Sequence, residues 1–465
     1  MVLSFVNYFP VNLSVKTQKN LNGMKFVKSP PKISSFFKNV PKIKTEKKTT
    51  LFENKQNNYS KKYISWLSEN NVYVSSKSTW GRPPHPCVIS DETTDEGEPS
   101  GRGMIAFKNI QQNDKVVEIP ENIIITEEND FFYSKSFGIL NEYDRLAMFL
   151  IRERAKGNKS FWKPYFDKLP FENDLKLVFR WKLSDLIFLK GSKILLATTY
   201  LKKKIDFQFF NLHEKIFRQN PLSFPEETFN LKSWEWAMTI LFSRAIYLPN
   251  SKKVALVPYA DLLNHNPFST SYIDSKSIPF SNSFEISMYS DRSYNKFDQI
   301  YTTYGPKTNL ELLILYGFSL ERNPFEAYEI RVSLSSNDRK YSEKKNFIKD
   351  CGKTNEITFP IFLYQYPKEL YEFMAFCLLS ERDFSNHEDY FFEGQTNDDS
   401  KKTNVIKKSL AYVCKKNLMK YPLIRNEENV LNLSFDTNHI SKNQRISLKQ
   451  RKIEKKILIK LTEFK

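Results

Sequence analysis

Two stretches of the sequence decide the fold: LVPYADLLNH at residues 256–265 and YTTYGPKTNLELLILYGF at residues 301–318. Each begins with a short strand-like run, and polar side chains follow it. In the first stretch these side chains are Asp261, Asn264 and His265. An Asn-His pair suits recognition of the edge of a heteroaromatic ring. Taken singly, however, this stretch is more typical of a structural core.

The second stretch places Tyr304 at the end of a predicted strand and Tyr316 on the predicted helix Asn309–Tyr316. A turn at Gly305 separates the strand from the helix. Tyrosines in such positions usually belong to the core, so the local pattern leaves both interpretations open.

A glycine-containing loop and one arginine are further candidates. Ser100, Gly101, Arg102 and Gly103 precede a predicted strand, and glycines let a backbone approach a ligand closely. A tight turn needs the same residues. Arg244 ends an apolar helix, where an arginine either caps the helix C-terminus or binds a carboxylate with two hydrogen bonds.

The periodicity of the remaining chain predicts small strands, a long helical segment, small strands again and an all-helical end. The predicted strands are Met104–Phe107, a run from Val116 to Ile119, Val254–Pro258, Phe284–Met288 and Gln299–Tyr304. The other predicted helices are Leu140–Lys156, Trp181–Thr199, Phe209–Arg218, Ser233–Ile246 with Ser233 as N-cap, Pro367–Leu379, Asn404–Leu418 and Ser447–Leu461. This order indicates the α+β class.

The first 58 residues have the composition of an unstructured segment. Ten lysines and a single acid, Glu46, fall in residues 1–50, so half of the formal net charge of +18 lies there. Basic, acid-poor and hydroxyl-rich composition favours an organelle transit peptide, and the lack of arginine favours a plastid over a mitochondrion. An ordinary basic tail is the alternative.

Several classes of function find no support in the composition. The four cysteines form no C-x-x-C pair and none lies beside a histidine at zinc spacing, so we expect no metal and no disulfide framework. No run of 18 apolar residues exists, which argues against a membrane-spanning helix. Binding to nucleic acid would rest on net charge alone, and residues 1–50 carry half of that charge.

Taken together and in this order, the motifs resemble the SET-domain protein methyltransferases. The likeness is closest to the branch with the Rubisco large-subunit lysine methyltransferase and the actin-histidine methyltransferase. Besides the two stretches above, the matching segments are SGRGMIAFKNI (100–110), SFWKPYFDKLP (160–170), DLIFLKGS (185–192), SRAI (243–246), NEENVL (426–431) and SLKQRKIEKKIL (447–458). The resemblance covers roughly residues 60–465.

The resemblance implies a division into domains. It begins after residues 1–58, which composition alone predicts to be a disordered, basic transit segment. Residues 59–320 would form a SET domain of small β-sheets with a helical insertion at about 127–245. Residues 321–465 would form a helical substrate-binding domain, which takes the place of the cysteine–zinc cluster that many histone-directed SET enzymes carry.

The resemblance also implies S-adenosylmethionine as methyl donor and a role for each candidate residue. Residues 100–103 would hold the methionine part of the donor by backbone contacts, and Arg244 would pair with its carboxylate. Asn264 and His265 would hold its amino and adenine ends. The substrate-side residues would be Asp261, Tyr316, which walls a narrow channel, and Tyr304, which is the implied catalytic residue.

The implied function is protein-lysine N-methylation. The implied substrate is the Rubisco large subunit or another plastid enzyme such as aldolase, in the chloroplast stroma. The alternatives to this activity are methylation of histidine and a non-catalytic SET-like module. The alternative location is the cytoplasm or nucleus. We expect a monomer. Two features depart from the family: Leu248 stands where a second arginine often follows Arg244, and the loop after His265 offers only Tyr272 as a further substrate tyrosine.

Overall fold

The computed structural model describes residues 61–72, 86–95, 98–129, 140–171, 176–280, 283–363, 367–381, 384, 400–422 and 440–463. The predicted transit segment, residues 1–58, lies outside them. Within these ranges, no helix is both long and apolar enough to cross a lipid bilayer.

Three small sheets form the first part of the fold, after a short helix, α1 (Lys61–Glu69). Their strands are β1 (Cys87–Asp95), β2 (Glu98–Ala106), β3 (Lys115–Pro120), β4 (Ile125–Thr126), β5 (Ile246–Leu248), β6 (Lys253–Leu256), β7 (Asn264–His265), β8 (Asp274–Ser277), β9 (Phe284–Tyr289) and β10 (Gln299–Thr302). The strand orders are β1-β2-β10-β7, β3-β9-β8 and β4-β6-β5. The resulting mixture of small sheets and helices confirms the predicted α+β class.

Strand β10 is the central element of the first sheet. On one side it pairs antiparallel with β2, where Ile300 lies opposite Met104. On its other side it pairs in parallel with β7, where Tyr301 lies opposite Asn264. Because β7 has only two residues, the chain passes beside β10 over a very short distance and then leaves the sheet.

The helical insertion lies between β4 and β5 in the chain. Its α-helices in the described ranges are α2 (Glu142–Ala155), α3 (Lys163–Phe166), α4 (Leu183–Leu186), α5 (Lys193–Leu212) and α6 (Leu231–Arg244). Two predictions made here were wrong. The helix predicted to start at Ser233 starts at Leu231, because the Asn230 side chain accepts the Ser233 N–H at 3.0 Å and is the N-cap.

The second wrong prediction concerns the two helices Trp181–Thr199 and Phe209–Arg218. Only residues 193–199 of the first and 209–212 of the second belong to one 20-residue helix, α5, which begins after Ser192 and is followed by a π-helical turn at His213–Phe217. The Ser192 hydroxyl accepts the Ile194 N–H at 3.1 Å and caps α5. The cap interrupts the predicted first helix, because a serine here satisfies backbone groups that a continuing helix would use.

The helix after the first sheet, α7 (Asn309–Tyr316), has the predicted bounds. Thr308 and Glu311 form a reciprocal capping box at its start, and Gly317 ends it in the left-handed conformation with φ +79°. Both signals are local, which is why the sequence located this helix correctly.

The C-terminal domain is not entirely helical, which corrects the prediction. Its two strands, β11 (Ala327–Ser333) and β12 (Glu356–Phe362), pair antiparallel. Along β11, Tyr328, Ile330 and Val332 are buried while the residues between them are more exposed, which is the period of a strand. The helices around this pair are α8 (Tyr341–Asp350), α9 (Lys368–Cys377), α10 (Ser400–Leu418) and α11 (Lys442–Thr462).

The buried apolar side chains form two clusters, one in the SET-like part and one in the C-terminal part. Gly191, just before α5, lies where the insertion meets the C-terminal domain. Its φ is +94°, and a Cβ atom there would lie 2.7 Å from the carbonyl oxygen of Lys420. A glycine at this position therefore lets two backbones from different domains touch.

We expect Gly191→Ala to lower the melting temperature more than the matched change Gly157→Ala. Both glycines have positive φ, but a Cβ at Gly157 would meet no atom within 4 Å. Gly157→Ala should cost about 1 kcal/mol of backbone strain, whereas Gly191→Ala adds a backbone clash and should cost at least about twice as much. Thermal unfolding of the full chain measures both, and equal losses would contradict the contact.

Candidate functional site

The pairing of β7 with β10 brings the two decisive stretches together. The Tyr304 N–H donates to Nδ1 of His265 at 3.0 Å. Their rings are stacked with centroids 5.0 Å apart. Two residues that are 39 positions apart in the chain therefore share one site.

The segment that carries His265 also binds the hydroxyl of Tyr304. It donates to the carbonyl oxygen of Leu263 at 2.8 Å. Burial is the main cause that raises the pKa of this phenol above its ordinary value, with nearby Tyr316 adding to the effect. Tyr304 is therefore a neutral phenol at physiological pH, and its oxygen keeps lone pairs that can accept a hydrogen bond.

Further aromatic rings extend this surface. The Tyr316 ring lies 4.7 Å from that of Tyr304, and Phe318 lies 6.2 Å from Tyr316 and 6.4 Å from His265. These four rings form one aromatic surface, which we call the aromatic wall. The sequence indicated Tyr316 but gave Phe318 no role of its own.

Residues 100–103, predicted as a loop before a strand, lie inside strand β2, where its pairing with β1 is irregular. This segment, which we continue to call the glycine loop, packs directly on Asn264. The amide nitrogen of Asn264 donates to the carbonyl oxygen of Arg102 at 3.2 Å and to the Thr93 hydroxyl at 3.2 Å. A Cβ on Gly103 would lie only 2.6 Å from that nitrogen, so only glycine fits without displacing Asn264. Gly101, in contrast, has φ +80° and open space beside it.

Thr93 organises this loop, although the sequence gave no sign of it. Its hydroxyl contacts the Ser100 hydroxyl at 2.8 Å and donates to the Gly101 carbonyl oxygen at 2.8 Å. The Arg102 side chain points elsewhere: its Nη1 donates to the carbonyl oxygen of Lys168 at 2.9 Å. Arg102 therefore contributes its backbone to this region, and a contact of that backbone with a donor stays a prediction.

Arg244 and Asp261 form an ion pair in which the carboxylate is buried and the arginine is partly exposed. Nη1 of Arg244 lies 3.1 Å from Oδ2 of Asp261, whose side chain is 1% exposed. The Tyr165 hydroxyl donates to the same oxygen at 2.8 Å. The cap interpretation of Arg244 is thus replaced by a carboxylate partner, which belongs to the protein itself. Tyr165 lies in the segment SFWKPYFDKLP, but its spacing alone did not point to this contact.

Two buried polar atoms of the site have no hydrogen-bond partner among the described residues: Oδ1 of Asp261 and Nε2 of His265. Since buried polar atoms are nearly always paired, unsatisfied ones are positions where a bound group could supply the missing partner. A predicted contact of Asp261 with a substrate would have to use Oδ1.

His265 is held in its neutral form. Burial, and then the nearby cation of Lys307, lower its pKa to about 4. Its Nδ1 accepts the Tyr304 N–H, so the ring proton lies on Nε2. In the described part of the chain, no three His, Cys, Asp or Glu side chains are grouped as a metal site would require.

Two residues noted as departures lie apart from these contacts. Leu248 is buried in the core at the end of β5. Tyr272 is 61% exposed. A substrate role for Tyr272 stays a prediction.

Two protein families match this chain in the expected order. The SET domain family matches residues 101–305, and the family described as Rubisco LSMT substrate-binding matches residues 335–458. Residues 101–305 therefore form a SET domain. More particularly, the chain has a SET domain followed by a Rubisco LSMT substrate-binding domain, as the motifs predicted.

Its relatives include enzymes of plant chloroplasts. The chain is 28% identical over 310 residues to the chloroplastic Rubisco large subunit N-methyltransferase of Pisum sativum, covering 64% of this chain and 59% of that protein. It is 31% identical over 303 residues to the chloroplastic aldolase-lysine N-methyltransferase of Arabidopsis thaliana, covering 63% and 58%. The human actin-histidine N-methyltransferase is 24% identical over 75% of this chain and 58% of its own. The matches thus span about three fifths of each relative.

Solved structures show the same fold. The SET domain of LSMT bound to lysine and AdoHcy superposes with a TM-score of 0.72 at 24% identity, covering 87% of this chain and 90% of that chain.

We expect His265 to stay neutral down to about pH 5. Since its native pKa lies below the unfolded value of about 6.5, stability from this residue is present above that value and is lost as pH falls toward 4. Histidine NMR of the labelled protein, with His265→Gln to assign the signal, measures the titration. A His265 signal that titrates between pH 6 and 7 would be inconsistent with a buried, neutral ring.

Proposed function

We propose that this protein is an S-adenosylmethionine-dependent protein-lysine N-methyltransferase. The observation that carries the proposal is the parallel pairing of β7 with β10, which places Asn264 and His265 beside Tyr304. The glycine loop contacts Asn264, and the aromatic wall includes His265 and Tyr304.

The residues present fit such a donor. The close contact between Gly103 and Asn264 leaves backbone groups of the glycine loop at the site, with open space beside Gly101. His265 offers an unpaired, buried Nε2–H. Arg244 would hold a carboxylate with the guanidinium nitrogens that Asp261 does not use. When bound, S-adenosylmethionine supplies an electrophilic methyl group on a sulfonium.

The protein's part in the reaction is positioning. A lysine is protonated at neutral pH, and an apolar surrounding such as that of Tyr304, Tyr316 and Phe318 favours its neutral form. The proton then leaves to solvent. The phenol oxygen of Tyr304 can accept a hydrogen bond from the amine and so orient its lone pair. Because its pKa is raised, Tyr304 is unsuited to act as a phenolate base.

We further propose that the substrate is a plastid protein and that the enzyme acts in the chloroplast stroma as a monomer. The basic, acid-poor residues 1–58 and the chloroplastic relatives support this location. The C-terminal domain supports a protein substrate, as its family description does. The boundary between residues 320 and 321 is consistent with the two family matches, which leave residues 306–334 between them.

A labelling experiment tests the function directly. We expect the full chain to transfer labelled methyl groups from S-adenosylmethionine to a protein in a plastid extract, with mass spectrometry locating the label on lysine. A label on histidine would favour the alternative activity. Binding of the donor without any labelled protein, in extracts of plastid and cytoplasm, would indicate a non-catalytic module instead.

We expect Tyr304→Phe to lower kcat by about 10²-fold, because it removes the oxygen that orients the amine. AdoHcy affinity, measured by calorimetry, should change by less than about twofold, since the ring still packs on His265. Tyr294→Phe is the matched control: this tyrosine also has a hydrogen-bonded hydroxyl, but its partner is Asp291, away from the site. A Tyr304→Phe enzyme as fast as the control would refute the assigned role.

A further inference from the structure

A buried polar cluster connects the C-terminal domain with the candidate active site. We call it the junction. It joins the start of α5, the start of α7 and the helix α11. Its members are Ser192, Asn309, Glu326, Tyr421, Gln450 and Glu454.

Glu454 of α11 forms one end of the junction. Its carboxylate accepts the Ser192 hydroxyl at 2.9 Å and the Tyr421 hydroxyl at 2.7 Å. Because Ser192 also caps α5, this carboxylate ties the helical insertion to the C-terminal domain. Desolvation raises the pKa of Glu454 to about 7.

Glu326 forms the other end. Its Oε2 accepts the N–H of Asn309 at 2.7 Å, and its Oε1 accepts Nε2 of Gln450 at 2.9 Å. Gln450 is 1% exposed and also contacts Glu454. One glutamine of α11 therefore lies between the carboxyl groups of Glu326 and Glu454 and links them.

Asn309 connects Glu326 with the loop that follows Tyr304. Its side chain bonds the backbone of Leu320 through both amide atoms, at 2.8 and 3.0 Å. Asn323 donates to Oδ1 of Asn309 at 3.1 Å and to the carbonyl oxygen of Lys307 at 2.8 Å. The backbone from Lys307 to Asn309 is thus held at both ends.

Helix α7 connects Asn309 with the aromatic wall. Asn309 is the first residue of this eight-residue helix, and Tyr316 is the last. A carboxylate at the helix start accepts an otherwise unpaired N–H and suits the helix dipole. A helix fixed at its start carries its last side chain with it, and here that side chain lies 4.7 Å from Tyr304.

We propose that Glu326 and Gln450 are positioning residues through which the C-terminal domain sets the position of α7 and hence of Tyr316 against Tyr304. This proposal rests on the proposed methyl transfer and adds to it a catalytic role for a domain that otherwise serves substrate binding. Neither residue touches the reacting atoms.

The test compares full-length variants of one helix. Gln450→Leu keeps a buried side chain of similar size but removes the donor to Glu326. Leu458→Ala, also in α11 and fully buried, is the control for general loss of packing. We expect Gln450→Leu to lower kcat about tenfold with AdoHcy affinity unchanged, whereas Leu458→Ala lowers the melting temperature without this fall in kcat.

A second pair of variants tests rescue by a conservative change. Glu326→Leu should lower kcat as Gln450→Leu does. Glu326→Gln should retain most of the activity, because its amide oxygen can accept the Asn309 N–H. Once the Gln450 amide turns by 180°, the new amide nitrogen at position 326 can also donate to Oε1 of Gln450, which has no partner among the described residues. If all four variants lose kcat in proportion to their melting temperatures, or if Gln450→Leu keeps full kcat, the positioning role is wrong.

Hydrogen exchange separates this proposal from the methyltransferase function. A peptide covering residues 305–316 should exchange faster in Gln450→Leu than in Leu458→Ala, whether or not a methyl acceptor is known. Unchanged exchange in Gln450→Leu would overturn the junction's role. A wild-type chain that methylates nothing, yet shows the faster exchange in this variant, would overturn only the proposed function.

Discussion

The site depends on a two-residue parallel pairing between β7 and β10. This contact places Asn264 opposite Tyr301 and lets the Tyr304 N–H reach His265. Two residue pairs are too few to hold strands together alone, since short pairings are marginal without packing. The pairing persists because Leu263 accepts the Tyr304 hydroxyl and because Asn264 is bonded to the glycine loop on its other side.

Burial gives the site its chemical character. It keeps His265 and Tyr304 neutral, and it forces the charge of Arg244 to be balanced within the protein. A buried ion pair contributes little net stability, because desolvation of both charges offsets their attraction. The pair with Asp261 is therefore better understood as an orienting contact: it fixes the guanidinium at the site, and the Tyr165 hydroxyl fixes the carboxylate.

The C-terminal domain contacts the rest of the protein through buried polar side chains as well as apolar ones. Its last helix has two kinds of contact: apolar residues such as Leu458 enter the second core, and two polar residues form hydrogen bonds. Glu454 bonds Ser192 of the insertion, and Gln450 bonds Glu326, which accepts the N–H at the start of α7. Polar side chains of this kind demand specific geometry, because a buried group that loses its partner is costly. Such contacts fix the orientation of two domains more narrowly than apolar packing would.

A structural feature could be predicted from the sequence when the residues that determine it lie close together in the chain. Helix α7 was predicted with its bounds because Thr308, Glu311 and Gly317 act within one helical turn of its ends. The α+β class and the two-domain order also followed from local periodicity and motifs. The strand β11 has a clear period of two and could have been predicted.

Only the tertiary structure decided that Arg244 pairs with Asp261 and that Thr93 holds the glycine loop. Those partners are selected by the arrangement of segments that are far apart in the chain, and no local pattern of residues specifies such distances.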